Sequence, residues 1–103
     1  MDEMETVIIN LIVNSGSARS SAMEAIQFAK EGDLEKAHES LEQAKEAVNE
    51  GHQSQTQLIQ AEIRGEKAPL SLLMVHAQDH LMTSLLAIDL ASEFIDLYEK
   101  ISK

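Results

Sequence analysis

The chain has 103 residues, a length that suits one domain with a single modest hydrophobic core. Four Gly, one Pro and many Ala, Leu, Glu, Gln and Lys residues are typical of long helices and argue against a turn-rich β fold. The formal charge of −10 disfavours binding to nucleic acid or to an anionic membrane, and the absence of Cys excludes disulfides, thiol catalysis and thiolate metal sites.

The first predicted element is a helix over about residues 4–31. Its apolar residues recur at the spacings of three and four that one helix face requires. They are Val7, Ile8, Leu11, Ile12, Ala18, Ala22, Ile26 and Ala29. Gly32 predicts the end of this helix and Asp33 the N-cap of the next, so the chain reverses in a tight turn here.

A second helix is predicted over about residues 34–64. Its apolar stripe comprises Leu34, Ala37, Leu41, Ala44, Val48, Leu58, Ile59 and Ile63. Gly51, His52 and Gln55 interrupt the stripe, so we expect the helix to bend or to become more polar there. The segment from Arg64 to Pro69 combines a stop glycine with a proline and predicts a loop.

The third predicted helix covers about residues 70–102 and begins near Leu70 or Ser71. It is apolar around most of its circumference, more than a helix with two neighbours needs. We therefore expect an all-α fold in which one domain, residues 1–103, forms an antiparallel three-helix bundle, with the third helix also packed against another chain.

A polar patch interrupts this apolar third helix. His76, Asp79, His80 and Thr83 fall on one helix face, at offsets of three, four and seven residues. A buried carboxylate at Asp79 would need a cation, a donor or trapped water. A neutral imidazole at His76 offers one ring nitrogen as a nucleophile, which suits phosphoryl transfer through a phosphohistidine.

The segment from Val75 to Ser84 resembles the phosphorylation motif of the lactose/cellobiose-type enzyme IIA components of the sugar phosphotransferase system, which include the N,N'-diacetylchitobiose type. The segment from Asn14 to Ser20 resembles their first-helix signature. The resemblance implies three long helices per subunit and a nine-helix homotrimer. It also implies that His76 accepts the phosphoryl group, with Gln78 and His80 in supporting roles.

The same resemblance implies that Asp79 binds a divalent metal, Mg²⁺, shared between three subunits at the trimer axis. A physical reason is available, since three converging carboxylates would repel one another and a hard cation with oxygen ligands would offset that repulsion.

The resemblance further implies a relay with two protein partners. The phosphorylated histidine-containing phosphocarrier protein would donate to His76, and the cognate enzyme IIB would accept the group during sugar uptake. The sequence begins with an acidic segment rather than a basic secretory signal, and no apolar run approaches the ~20 residues of a membrane span. We therefore expect a cytoplasmic protein that neither inserts into a membrane nor binds nucleic acid.

Two alternative functions compete with this interpretation. The stretch from Ala25 to Ala44 resembles a tetratricopeptide-type hairpin and would indicate a non-enzymatic interaction module, although solenoids need about three repeats. Alternatively, His76, Asp79 and His80 could form a helical metal site, because His and carboxylate are plausible ligands of transition metals. His38 and His52 lack such a context and are expected at the surface or at an interface.

Overall fold

The computed structural model describes residues 3–67 and 70–102, and these fold into three helices. Helix α1 spans Glu3–Lys30, α2 spans Leu34–Ile63 and α3 spans Leu72–Ile101. The helices pack on one another as an elongated bundle with extents of 54 × 25 × 19 Å. Within these ranges the structure is all-helical, as the sequence predicts.

The turn between α1 and α2 follows from two residues. Gly32 has a φ of +86°, a backbone conformation that favours glycine, and the amide of Asp33 donates to the carbonyl of Phe28 at 2.9 Å. The Asp33 carboxylate then accepts from the amide of Lys36 at 3.1 Å and caps α2. This turn agrees with the prediction.

The connection between α2 and α3 also combines a glycine at positive φ with a side-chain cap, but α3 begins later than predicted. Gly65 ends α2 with a φ of +94°. Helix α3 begins at Leu72 rather than at residue 70, because Ser71 is extended and its hydroxyl accepts from the amide of Met74 at 3.1 Å. Pro69, which the sequence predicts at the end of the loop before α3, lies outside the described residues.

The core is formed by one narrow stripe from each helix. The buried positions on α1 and α3 alternate at spacings of three and four residues. They are Ile8, Leu11, Ser15, Ala18, Ala22, Ala25 and Ala29 on α1, and Met74, Ala77, Leu81, Ser84, Ile88, Ala91 and Ile95 on α3. Many of these residues are small, which allows the helices to approach closely.

Gly51 lies in the middle of α2, which continues through this position without interruption. The residue is buried, and a Cβ atom there would lie 2.8 Å from Cδ1 of Leu11 on α1. The glycine thus permits close contact between α1 and α2. Gly16 on α1 is different, because a Cβ there would meet nothing within 4 Å.

The predicted α2 stripe is wrong at Ile59 and Ile63, whereas Leu58 is half-buried and packs against the core. Ile59 is 52% exposed and Ile63 is 80% exposed, and the buried residues of α2 end at Gly51. Ile63 is the last residue of α2, nine positions before the start of α3, and Ile59 lies in a groove that Leu58, Met74 and Gln78 also line. No described helix combines the length and the apolar character that crossing a bilayer requires.

Candidate functional site

The predicted site residues lie on the N-terminal half of α3, around its buried face. Successive residues of a helix are rotated by about 100°, so neighbours of the buried Ala77 point to opposite sides of the core stripe. His76 lies on one side and Gln78 on the other. The structure therefore separates two residues that the sequence analysis groups together.

His76 and His80 form a pair on one side of α3. Nε2 of His76 lies 3.0 Å from Nε2 of His80, and the two rings meet edge to face with centroids 4.4 Å apart. The side chain of His76 is exposed and that of His80 is half-buried. A hydrogen bond at this distance requires one Nε2 to carry a proton and the other to accept the hydrogen bond with its lone pair.

Asp79 is exposed on the face of α3 that points away from the core. A residue two positions from a core residue is rotated by about 200° around the helix axis, so it lies on this outer face. Large apolar side chains occupy this outer face and are about half exposed or more. They are Leu72, Val75, Met82, Leu86, Leu90, Leu97 and Ile101. The carboxylate of Asp79 thus interrupts an exposed apolar stripe.

Gln78 contacts α2 rather than the histidine pair. Its Oε1 accepts a hydrogen bond of 2.7 Å from Nε2 of Gln55. Among the hydrogen bonds of the described ranges, none joins Gln78 to His76. Gln78 can therefore hold α3 against α2 at the level of the site, and its influence on His76 is indirect.

Ser84 connects the two sequence segments that carry the family resemblance. It is fully buried, and its hydroxyl lies 2.7 Å from the carbonyl of Ser15 on α1 and 2.6 Å from the carbonyl of His80. On the exposed side, the Thr83 hydroxyl donates to the carbonyl of Asp79 at 2.8 Å. The Ser84 contact fixes the position of α1 along the bundle axis relative to the histidine pair.

Two surface grooves border His80. The first is lined by Arg19, Met23, Ile26, Asp79, His80, Thr83, Leu86, Ala87, Leu90 and Phe94. The second is lined by Gly16, Arg19, Ser20, Met23, Glu24, Gln27 and His80. Arg19 belongs to both, although the sequence analysis gave it no role. Its position directly after the buried Ala18 could have indicated that it faces the side of the bundle next to the core.

The alternative metal site of His76, Asp79 and His80 does not form within one chain. In residues 3–67 and 70–102, no group of three or more His, Cys, Asp or Glu side chains converges so as to hold a metal ion. Asp79 is turned to the outer face of α3, whereas the two imidazoles contact each other. The hairpin from Ala25 to Ala44 is the junction of α1 and α2 in this one bundle.

This bundle, with an exposed histidine pair on its third helix, belongs to an established class of protein. The family described as "PTS system, Lactose/Cellobiose specific IIA subunit" matches residues 6–99, and the chain belongs to this family. It is an enzyme IIA component of a sugar phosphotransferase system and hence a phosphotransferase component. The family that the segment from Val75 to Ser84 predicted is thereby confirmed.

Similar proteins cover nearly the whole chain. The lichenan-specific phosphotransferase enzyme IIA component of Bacillus subtilis is 52% identical over 102 residues, which are 99% of this chain and 93% of that protein. The N,N'-diacetylchitobiose-specific EIIA component of Escherichia coli is 48% identical over 100 residues, covering 97% and 86%.

Solved structures agree with the fold. The crystal structure of the PTS cellobiose-specific enzyme IIA from Bacillus anthracis has a TM-score of 0.93 and 55% identity, covering 99% of this chain and 94% of that one. The IIA(Chitobiose) chain in solution structures of its complex with HPr has a TM-score of 0.86 and 45% identity, with full coverage of both chains.

Proposed function

We propose that this enzyme IIA component carries a phosphoryl group on His76. The group would come from the phosphorylated histidine-containing phosphocarrier protein and pass to the cognate enzyme IIB during sugar uptake. The observation that supports this most directly is the exposed His76 ring, whose Nε2 lies 3.0 Å from Nε2 of His80. An acceptor that serves two protein partners must be accessible from outside the bundle.

The histidine pair suits this role when His80 holds the shared proton. Nε2 of His76 then accepts the hydrogen bond through its lone pair, with the ring proton on Nδ1, and the lone pair becomes the nucleophile when this hydrogen bond opens. Once a phosphoryl group occupies that nitrogen, the Nε2–H of His80 can donate to a phosphoryl oxygen. His80 would thus select the attacking nitrogen and afterwards stabilise the product.

The transfer to His76 exchanges one P–N bond for another, and the onward transfer breaks that second bond as a nucleophile of enzyme IIB bonds to phosphorus. The P–N bond in the donor's phosphohistidine breaks as a P–N bond to Nε2 of His76 forms, and the donor's ring nitrogen leaves with the electron pair. The ring of His76 keeps its Nδ1 proton, and no water is consumed. Phosphoryl transfer is mainly positioning and charge stabilisation, so two docked proteins with attacking and leaving nitrogens in line can suffice.

Charge and similarity support the choice of partners. The formal charge of −10 favours partners with basic surfaces. A chain 45% identical to this one forms a complex with HPr, the histidine-containing phosphocarrier protein. We extend that interaction to this chain and, on the same grounds, place the chain in the cytoplasm. Gln78, bonded to Gln55, would support the site by holding α3 in place.

We also propose that three copies assemble as a nine-helix homotrimer through the outer apolar stripe of α3. That stripe leaves Leu72 86% exposed, Leu86 58% exposed and Met82 53% exposed in the single chain. Such a row of large apolar side chains gains free energy from burial against a like surface, at about 25 cal/mol per Å².

Asp79 lies within this stripe, so a threefold assembly would bring three carboxylates together. Carboxylate oxygens are suitable ligands for Mg²⁺, and the single carboxylate of one chain fits only a shared site. When bound, the ion would neutralise the three charges and stabilise the assembly. It has no part in the transfer steps derived above.

Calorimetric titration tests the metal proposal. We expect wild-type protein to bind one Mg²⁺ per three chains, and the Asp79→Leu variant to bind none while remaining folded. Asp89→Leu is a matched control, because it removes another exposed α3 carboxylate while the carboxylate of Asp79 remains. Equal Mg²⁺ binding by wild type and Asp79→Leu would remove Asp79 from the site.

Phosphoryl labelling tests the acceptor. The protein is incubated with phosphoenolpyruvate, enzyme I and the phosphocarrier protein, and the acid-labile phosphoryl adduct is located by peptide mapping. We expect label on His76 in the wild type and none on His76→Ala, while His38→Ala, another exposed histidine, labels normally. Full labelling of His76→Ala would show that another residue is the acceptor.

A further inference from the structure

Arg19 on α1 is an exposed cation without a partner among the described residues. No ion pair or side-chain hydrogen bond among the described residues engages its guanidinium. Lys30 on α1 is likewise unpaired, but it lines neither of the grooves beside His80. The chain has 18 acidic and 8 basic residues, so an unpaired arginine beside the histidine pair is a candidate binding site for an anion.

The surroundings of Arg19 place this cation next to the site. Arg19 and His80 both line each of the two grooves, and Nε2 of His80 lies 3.0 Å from Nε2 of His76. No Lys and no second Arg lines either groove, while Asp79 lines the first and Glu24 the second. Arg19 is therefore the positive charge of both grooves, and the second groove, which no residue of the outer stripe of α3 lines, offers it to a ligand.

We propose that Arg19 binds the oxygens of the phosphoryl group while it is transferred to and from Nε2 of His76. This inference rests on the proposed phosphoryl-carrier function and adds a residue to its site. The planar guanidinium presents several N–H donors that match phosphoryl oxygens in a bidentate way. Its charge offsets the repulsion that a carrier with a net charge of −10 exerts on the incoming group.

The surface around Gly16 is open. Gly16 lines the second groove one helical turn before Arg19 and Ser20, and a Cβ atom there would meet nothing within 4 Å. The surface beside Arg19 is thus open on the α1 side. A phosphoryl group held by a docked partner can approach the guanidinium from this side.

The test compares Arg19→Gln with Arg19→Lys. Lys30→Gln serves as a matched control, because it removes a positive charge from the exposed surface of α1 outside both grooves. Single-turnover transfer from the phosphorylated phosphocarrier protein is followed over a range of its concentrations. We expect Arg19→Gln to lower the maximal rate by about 10- to 100-fold, Arg19→Lys to recover part of the loss, and Lys30→Gln to match wild type.

The outcomes separate the two proposals. If wild type acquires no label on His76, the carrier function fails. If wild type is labelled and Arg19→Gln has the wild-type maximal rate, only the role of Arg19 is overturned. A change confined to the concentration dependence would likewise overturn it, since Arg19 would then serve docking alone. Circular dichroism confirms that each variant is folded, as expected for substitutions at the exposed Arg19.

Discussion

Gly16 and Gly51 lie in the interiors of two helices, where glycine costs about 1 kcal/mol relative to alanine. Their surroundings differ. A Cβ on Gly51 would lie 2.8 Å from Cδ1 of Leu11, which is only 1% exposed and has little space to move. A Cβ on Gly16 would meet open space.

We expect opposite stability changes from the same substitution at these two positions. Gly16→Ala should raise the free energy of unfolding by up to about 1 kcal/mol, because only the helix preference of alanine contributes. Gly51→Ala should lower it by up to about 2 kcal/mol, because overpacking costs about 1–3 kcal/mol and exceeds that gain. Urea unfolding at one fixed protein concentration measures both changes.

The clash with Leu11 can be tested on its own. Valine at position 11 has no Cδ1 atom. The double variant Gly51→Ala with Leu11→Val should therefore lose less stability than the sum of the losses of the two single variants. Strictly additive losses would show that Leu11 is not the residue that requires glycine at position 51.

The motif and the helical spacing predict some residues of the site, whereas others depend on how the helices pack. The motif from Val75 to Ser84 identified His76 by resemblance, and helical spacing placed His80 beside it, where the two Nε2 atoms are 3.0 Å apart. Spacing alone could not show that Gln78 pairs with Gln55, since that contact depends on how α2 is rotated. It also could not reveal Arg19, which reaches the site only after α1 packs against α3.

At the level of the helices, the sequence predicts where a helix ends better than it predicts which of its residues are buried. Gly32 and Gly65 end α1 and α2 because both adopt positive φ, a local property that the sequence shows directly. The start of α3 was placed up to two residues early, because Leu70 fits the apolar pattern while the cap at Ser71 depends on one hydrogen bond. Such boundaries are local but are sensitive to a single contact.

Burial depends on neighbours that one sequence pattern does not identify. Ile59 and Ile63 continue the α2 stripe in register, yet both are exposed, whereas the neighbouring Leu58 is half-buried and packs against the core. Ser15 and Ser84 show the reverse case, since both are polar and fully buried. Periodicity indicates which residues share a face, and the packing of the other helices decides whether that face is covered.

At the level of the whole molecule, α3 has more apolar surface than its own bundle covers. Its core stripe contacts α1 and α2, and its outer stripe lies on the opposite side of the helix. Leu86 lies near the middle of that outer stripe, seven residues after Asp79 and so on the same helix face. If the outer stripe is the trimer interface, charge at Leu86 must oppose assembly.

We expect Leu86→Glu to convert a homotrimer into single chains, because three new carboxylates would be buried near one another without partners. Sedimentation equilibrium measures this as a fall from three times the 11.4 kDa chain mass to one. Gln43→Glu adds the same charge at an exposed position of α2 and should leave the mass unchanged. Leu86 is 58% exposed in the single chain, so helical circular dichroism should survive the substitution. A trimeric Leu86→Glu, or a wild type that sediments as one chain, would show that α3 does not hold copies together through this face.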